Sequence, residues 1–470
     1  MTGAFLPAVN RERSVSITQQ IFIGMRTAIL SGALERGARV SSWQDLSAQL
    51  GVSRGTVKRA YDLLKDQGLI VTKGRGGTWV ATSIPEEEAA EPGPPVQPAR
   101  GLFYDFEETP QYFQMGVPAQ DQFPSKAWHG AWRRAIATES VRPQIYPDPQ
   151  GLLSLRREVA GYLAIARGYS CHPSQVFITS GFAGALGVVV GAMGFHGSKA
   201  FVEDPGFPRT RLALQQADVE TISAPVDNEG MKLPLVKEGV RFAVMTPGQQ
   251  APLGMPLSPA RRAEVLDWAN AEDAWIIEDD YAGELQLAGR ASPALAAGDN
   301  FGRVFHVGSF SKTLNPGLRL GFLVVPPALA ELFGTFVGFL APAGSIIAQQ
   351  AVQNFMAGGH FYRHLRRMKS LYAHRKTLLV ENLRHEIHPG IRCEYEGGLS
   401  VRLFFPSGLD DVALAAEADR VGLGVLPLSP WYQSYGPGRG LLLGISNVRE
   451  RTVRVKCELL SRLISTHTYG

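Results

Sequence analysis

The segment Ser309-Phe310-Ser311-Lys312-Thr313-Leu314-Asn315-Pro316-Gly317-Leu318-Arg319-Leu320-Gly321 sets one lysine beside two hydroxyls, with an arginine seven residues on. It follows the apolar run Val304-Phe305-His306-Val307, which reads as a buried strand. Working outward, further buried-strand candidates are Gln175–Thr179, Lys199–Glu203, Val219–Ser223, Arg241–Thr246, Ala274–Glu278, Arg303–Val307 and Leu320–Val325. Helical segments such as Ser258–Ala269 lie between several of them. That alternation implies a mostly parallel sheet covered on both faces. Ala328 to Leu383 reads as long helices. Ile391–Glu396, Leu399–Phe405, a helix near Asp411–Val421 and Gly440–Ser446 then read as a smaller α+β end domain.

The first eighty residues follow a different pattern. Ile17 to Leu30 carries apolar residues at helical spacing and stops at Ser31-Gly32. Asp45 to Leu50 reads as a short second helix, Gly51-Val52-Ser53 as a tight turn, and Arg54 to Gln67 as a third helix capped by Ser53. Leu69–Thr72 and Thr78–Ala81 pair as a hairpin around Lys73-Gly74-Arg75-Gly76-Gly77. Three helices and a hairpin make a winged helix-turn-helix, over residues 14–82. The Pro- and Glu-rich stretch from Ser83 cannot pack a core and reads as a linker, residues 83–103. The body then runs 104–470, with a large part over about 130–360 and a small part over about 361–470.

Charge separates the two parts. Residues 1–83 hold eleven Arg/Lys against five Asp/Glu, so +6 of the formal net +4 lies there and about −2 in the remainder. A basic head on a mildly acidic body suggests that the head meets a polyanion. The start of the third helix is the part that enters a DNA major groove. Ser53, Arg54, Thr56, Lys58 and Arg59 are its candidate contacts, with Lys73, Arg75 and Gly76 in the wing. Three scattered cysteines (Cys171, Cys393, Cys457) suggest reduced thiols in a cytoplasmic protein. His360 and His364 stand four apart, but Arg363, Arg366 and Arg367 surround them. A cationic helix face is the reading, and no metal is expected. Residues 1–13 lack a signal pattern, and the longest apolar stretch, Phe333 to Ala348, is broken by Pro342, so no membrane span is expected.

A lysine set as Lys312 is suits a Schiff base with pyridoxal 5'-phosphate (PLP), provided other groups support it. Asp279, in Glu278-Asp279-Asp280-Tyr281, offers a carboxylate for the pyridine nitrogen, and Tyr281 a phenol for O3'. Ser309, Ser311 and Arg319 can hold the phosphate with the backbone N–H groups around Gly181, Phe182 and Ala183, at a strand-to-helix turn. Phe207 is the candidate aromatic over the ring, and Tyr146 a further phosphate ligand.

On these residues the head resembles the GntR family over roughly 16–82. One difference is Gln44 where that family usually has an arginine before Asp45-Leu46. The body resembles fold-type I aminotransferases over roughly 130–460. Together, the EDDY and SFSKTLNPGLRLG segments resemble the MocR/GabR family, GntR-type heads fused to aminotransferase-like bodies. The resemblance implies a winged helix-turn-helix joined to an α/β fold-type I PLP domain with a small C-terminal α+β part. It also implies Lys312 as the aldimine lysine, Asp279 and Tyr281 on the ring, and Ser309, Ser311 and Arg319 on the phosphate. Finally, it implies a head-to-tail homodimer in which Tyr146 reaches the partner's PLP.

Two departures stand out. The loop Gly248-Gln249-Gln250-Ala251-Pro252-Leu253-Gly254 lacks the His, aromatic and Thr of the family pattern, leaving Gln250 as a candidate cofactor contact. Leu428-Ser429-Pro430-Trp431-Tyr432 lacks the arginine that some members use for an amino-acid carboxylate; Arg209, Arg211, Arg402 and Arg439 are the candidate replacements. The implied function is a regulator that binds a double-stranded DNA operator and senses a small amine or amino-acid effector, or PLP itself, by aldimine exchange at Lys312. The alternatives are an active aminotransferase with an autoregulatory head, and a DNA-binding protein whose body only dimerises.

Overall fold

The computed structural model describes residues 6–7, 9–10, 15–73, 76–82, 110–142, 145–235, 238–287, 291–395, 397–406, 409–435 and 438–469. The chain divides into two compact units, residues 1–100 and 101–470. The linker read at 83–103 lies outside the described residues.

The first unit contains α1 (Ile17–Leu30), β1 (Arg39–Val40), α2 (Trp43–Leu50), α3 (Arg54–Asp66), β2 (Ile70–Thr72) and β3 (Thr78–Val80). A serine caps each helix. The Oγ atoms of Ser16, Ser42 and Ser53 accept from the N–H of Gln19, Asp45 and Thr56 at 3.3, 3.1 and 3.2 Å. Each cap satisfies an otherwise orphaned donor, typically stabilising by about 1 kcal/mol. Ser42 also moves the start of α2 to Trp43, two residues before the position read from sequence. Ile21, Met25, Leu46, Val57, Tyr61 and Leu64 form the core of this unit. The Tyr61 hydroxyl donates to Ser41 O at 2.7 Å, tying α3 to the turn ahead of α2. The hairpin gains a third strand, because β1 pairs antiparallel with β3.

The second unit contains α4 (Ser125–Glu139), α5 (Leu153–Ala166), β4 (Val176–Thr179), α6 (Phe182–Ala192), β5 (Lys199–Asp204), α7 (Pro208–Gln216), β6 (Glu220–Asp227), β7 (Gly230–Met231), β8 (Val240–Met245), α8 (Pro259–Ala271), β9 (Trp275–Asp280), β10 (Val304–Ser309), β11 (Gly321–Val324), α9 (Ala330–Phe339), α10 (Ile346–Ala357), α11 (His360–Glu386), β12 (Arg392–Glu394), β13 (Ser400–Phe404), α12 (Asp411–Arg420), β14 (Leu426–Pro427), β15 (Gly440–Gly444) and α13 (Val453–Tyr469). Eight strands form one sheet in the order β4-β11-β10-β9-β8-β5-β6-β7. The run from β10 to β6 is parallel, whereas β11 lies antiparallel between β10 and β4. The inner parallel strands β5, β8, β9 and β10 are apolar at their centres because helices cover both faces, whereas β6, nearer the sheet edge, is largely half-exposed. β12, β13, β15 and β14 form a second, antiparallel sheet.

Parallel strands send their carboxyl ends to one edge, where open α/β sheets bind ligands. β9 ends at Asp279-Asp280 and β10 at Ser309 on that edge. The register sets Ser309 opposite Gly321, and Gly321 opposite Thr179. Three segments far apart in sequence therefore meet there. Among the described residues no helix is long and apolar enough to cross a membrane.

Candidate functional site

Side chains alternate along a strand, so the three acids of β9 point to two faces. Glu278 and Asp280 share the rear face. Glu278 accepts from the N–H of Leu295 (2.7 Å) and Ala296 (3.1 Å) and pairs with His306 Nδ1 at 2.9 Å. Arg167 donates to Asp280 from Nε at 2.6 Å and from Nη2 at 3.2 Å, and from Nη1 to Ser292 O at 2.6 Å. These contacts fix the strand end that carries Asp279.

Asp279 faces the other way, onto a cavity of about 20 Å³ lined also by Glu203, Phe207 and Thr246. Burial, reinforced by Asp280 and Glu203, pushes its carboxyl well above the usual range, and Lys312 offsets part of the rise. A buried carboxyl held this way is stabilised as a carboxylate by a cation brought against it. Glu203, which sequence reading passed over, accepts from Thr246 N (3.2 Å) and Thr246 Oγ1 (2.6 Å), and burial lifts it to about 7. Its signal was a charged residue inside the apolar run Lys199-Ala200-Phe201-Val202-Glu203.

Lys312 follows β10 and donates from Nζ to Gly116 O at 2.9 Å. Gly116 has φ +81°, and a Cβ there would stand 2.6 Å from Nζ, so both backbone and space require glycine. Burial lowers the Lys312 amine to about 8; Asp279 opposes the shift and Arg209 adds to it. An amine in that range supplies the neutral nucleophile near physiological pH. His364 holds the next residue in place, its Nε2 donating to Thr313 O at 2.8 Å. This corrects the reading of His364 as part of a cationic face. It is buried, and burial lowers its pKa, which favours neutral imidazole.

The expected phosphate ligands also come together. Ser309 Oγ accepts from Ser311 N at 3.2 Å. Arg319 adopts a left-handed backbone (φ +48°), unusual for a side-chain-bearing residue, and its Nη2 donates to Ser180 O at 3.2 Å. Gly181 (φ +82°) is the N-cap of α6, so Phe182 and Ala183 open a helix whose N-terminus faces the Arg319 guanidinium.

Tyr281 lies one residue beyond β9 and accepts from Gln249 Nε2 at 3.3 Å; burial pushes its phenol up, keeping it protonated at neutral pH. Gln250 plays a different part from the one read from sequence. It donates to Pro205 O and Ala251 O, both at 2.8 Å, and accepts from Leu253 N at 2.9 Å, closing its own loop. Gln249 is the residue that reaches the site. Phe207 leads into α7 and packs against Trp431 at 5.7 Å. Tyr146 is fully exposed, and this chain does not bring it to Lys312. Of the candidate carboxylate partners, Arg211 bonds the carbonyls of Gly206, Pro430 and Trp431, and Arg439 that of Leu409.

These residues fit PLP. A lysine amine, a buried carboxyl, a phenol, two hydroxyls, a guanidinium and a helix N-terminus converge on one sheet edge. When bound, that cofactor supplies an aldehyde and an electron-withdrawing ring.

In the head, Ser53, Arg54, Lys58 and Arg59 are exposed at the start of α3, with Thr56 half-buried. Ser53 Oγ and Thr56 Oγ1 hydrogen-bond at 2.7 Å, so capping occupies both hydroxyls in part. Lys73 lies 5.7 Å from the Trp79 ring, and Gly76 O accepts from Trp79 Nε1 at 3.1 Å. Arg75 lies outside the described residues. Arg39, overlooked in the sequence, has its guanidinium carbon 6.0 Å from the centre of the same Trp79 ring.

Residues 113–407 match the aminotransferase class I and II family, and residues 17–80 match the bacterial regulatory proteins of the gntR family. The chain is 31% identical to the probable rhizopine catabolism regulatory protein MocR of Rhizobium meliloti, over 95% of this chain and 93% of that protein. It is 31% identical to the HTH-type pyridoxine biosynthesis transcriptional regulator PdxR of Corynebacterium glutamicum, over 95% of this chain and 96% of that protein. Among solved structures, the kynurenine aminotransferase of Pyrococcus horikoshii, crystallised in complex with PMP, has the same fold. The TM-score is 0.69 at 24% identity, covering 77% of this chain and 93% of that one. A gntR-family head and an aminotransferase class I and II body in one chain, matched along nearly its whole length by MocR and PdxR, make this protein a member of the MocR/GabR subfamily of GntR-type transcriptional regulators.

Proposed function

We propose that this regulator holds PLP on Lys312 and changes its grip on operator DNA when a small amine or amino acid displaces the lysine. The carrying observation is the convergence of Lys312 and Asp279 from neighbouring strand ends, close enough that each shifts the other's ionisation. Asp279 would sit under the ring nitrogen, Tyr281 beside O3' and Phe207 over the ring. Ser309, Ser311, Arg319 and the turn at Gly181, Phe182 and Ala183 would take the phosphate. Gly116 O receives the Lys312 proton donor while the amine waits, and Gln249 holds the Tyr281 phenol. An effector shifts DNA affinity only by binding two body conformations with different free energies.

The full exposure of Tyr146, with Ile145 79% exposed beside it, supports a homodimer in which this segment meets a second copy. The exposed basic start of α3 supports operator contact by Ser53, Arg54, Thr56, Lys58 and Arg59. Lys73, Arg75 and Gly76 would contact the backbone from the wing, in the cytoplasm.

A second reading, an aminotransferase with an autoregulatory head, draws on the lowered Lys312 amine, which suits proton transfer as well as capture. The test is an absorbance titration of purified protein with candidate amines, run beside a DNA-shift assay on its own upstream region. A visible band that changes with an amine, together with altered DNA retention, supports the regulator. Robust steady-state turnover without specific DNA retention supports the enzyme. Colourless protein that borohydride cannot tag overturns both.

A further inference from the structure

The three strands of the head stand in the order β1-β3-β2, with Arg39 opposite Trp79 and Trp79 opposite Val71. Val40, Ile70, Thr78 and Val80 are buried and form the inner face of this sheet. By alternation Arg39, Trp79 and Val71 share the outer face, and Lys73, two residues past Val71, continues it. Arg39 and Lys73 are exposed, Val71 is 39% exposed and Trp79 is half-buried.

On that face two cations flank one indole. Arg39 and Lys73 come from the segments on either side of β3 and lie 6.0 and 5.7 Å from the Trp79 ring, within reach of a cation–ring attraction. Trp79 Nε1 donates to Gly76 O at 3.1 Å, which pins the ring to the turn. Gly77 has φ +93°, and a Cβ there would stand 3.1 Å from Arg39 Nε, so glycine lets the guanidinium approach the hairpin closely. Residues 36–44 and 67–84 hold Arg36, Arg39, Lys73 and Arg75 and no Asp or Glu, so these segments supply no carboxylate to neutralise the face.

The face is also fixed to α3. Tyr61 donates to Ser41 O at 2.7 Å, two residues past Arg39, and Leu69 N donates to Leu64 O at 3.0 Å just ahead of β2. A duplex that takes the start of α3 into its groove therefore meets this sheet in one set orientation. The chemistry of the face suits a sugar-phosphate backbone. A forked guanidinium and an ammonium neutralise phosphates, and an indole held edge-on to its own turn offers an apolar surface to deoxyribose.

From this, and resting on the reading of the head as the operator-binding part, we infer that the outer face Arg39–Trp79–Lys73 is a backbone clamp for duplex DNA. Arg39 takes a phosphate that neither α3 nor the tip of the wing reaches. The contact carries no base information, so it strengthens binding to every sequence alike.

The test uses the full chain in gel shifts on a duplex from its own upstream region and on a random duplex, across a range of salt. Arg39→Gln should weaken binding to both about fivefold to tenfold near 0.1 M salt, and lower the slope of log affinity against log salt by about 0.9, the value of one phosphate. Adding Lys73→Gln should lower that slope by about the same amount again. Arg39→Lys keeps the charge and should keep the slope. Unchanged affinity and slope in Arg39→Gln overturns the clamp. So does a loss confined to the upstream duplex, which would make Arg39 a base reader. A loss in Arg39→Lys as large as in Arg39→Gln also overturns it, since packing and not charge would then be at stake. Each of these leaves the operator reading of α3 standing, whereas a wild-type protein that does not prefer its upstream duplex overturns both.

Discussion

Replacing Arg167 tests how the rear of β9 supports its front. Arg167 and Asp280 are 0% and 4% exposed as side chains, and their bond is bidentate at 2.6 and 3.2 Å. Arg167→Met keeps the bulk but strips Asp280 of its counter-ion, in surroundings where Glu278 and Glu284 also act on the guanidinium. Leaving one partner of a buried pair behind costs about 3–5 kcal/mol. In a body this large, about 2 °C of Tm accompanies each kcal/mol, so the unfolding transition should fall by about 6–10 °C. Asp280→Asn alone also breaks the pair, leaving the guanidinium without its direct ion-pair partner. The double variant removes both charges and should be less destabilised than the sum of the two, by about 1–3 kcal/mol. Scanning calorimetry of the four proteins gives the cycle. Because the pair also fixes the strand end that aims Asp279, cofactor tagging by borohydride should fall in the single variants. Strict additivity, or an Arg167→Met transition no lower than wild type, would refute the role given to this ion pair.

Lys312→Ala should abolish borohydride tagging and leave the body's thermal transition intact; tagging elsewhere in the chain would reassign the site. Capture of PLP by the stripped protein should rise with pH through a midpoint near 8 and level off above it, because the neutral amine attacks and burial lowers its pKa from 10.5 to about 8. A midpoint at the ordinary lysine value would refute that environment. Arg54→Ala should weaken specific operator binding by about 1–3 kcal/mol if the side chain reads a base edge. An equal loss on random DNA, measured by gel shift at fixed salt, would make it a phosphate contact.

Local patterns made much of the architecture legible. The helices of the head, the seven buried strands of the large sheet and the long helices after it follow from period and capping. Elements too short for a period escaped: β1 and β14 have two residues each, and their pairing exists only in three dimensions. The helix α13 was readable, since Val453, Cys457, Leu460 and Ile464 recur at helical spacing, yet it was passed over. Strand ends exposed the chemistry of Lys312, Asp279 and Tyr281. Their supports were hidden, because Gly116, Arg167, Glu203 and His364 reach them from distant segments through tertiary packing. Adjacent Gln249 and Gln250 differ in role through loop geometry, which no composition rule separates.

The groups proposed to hold the phosphate lie on the turn after β4, the end of β10 and the residue that leads into β11, the last of these in the chain and the middle one in the sheet. In a nascent chain whose β11 has not yet inserted between its neighbours, the turn after β4 and the end of β10 are not yet held together. Non-local pairings of this kind form late. On the proposed function, vitamin loading would then be a maturation mark, and the colour of a preparation would count finished molecules rather than synthesised ones.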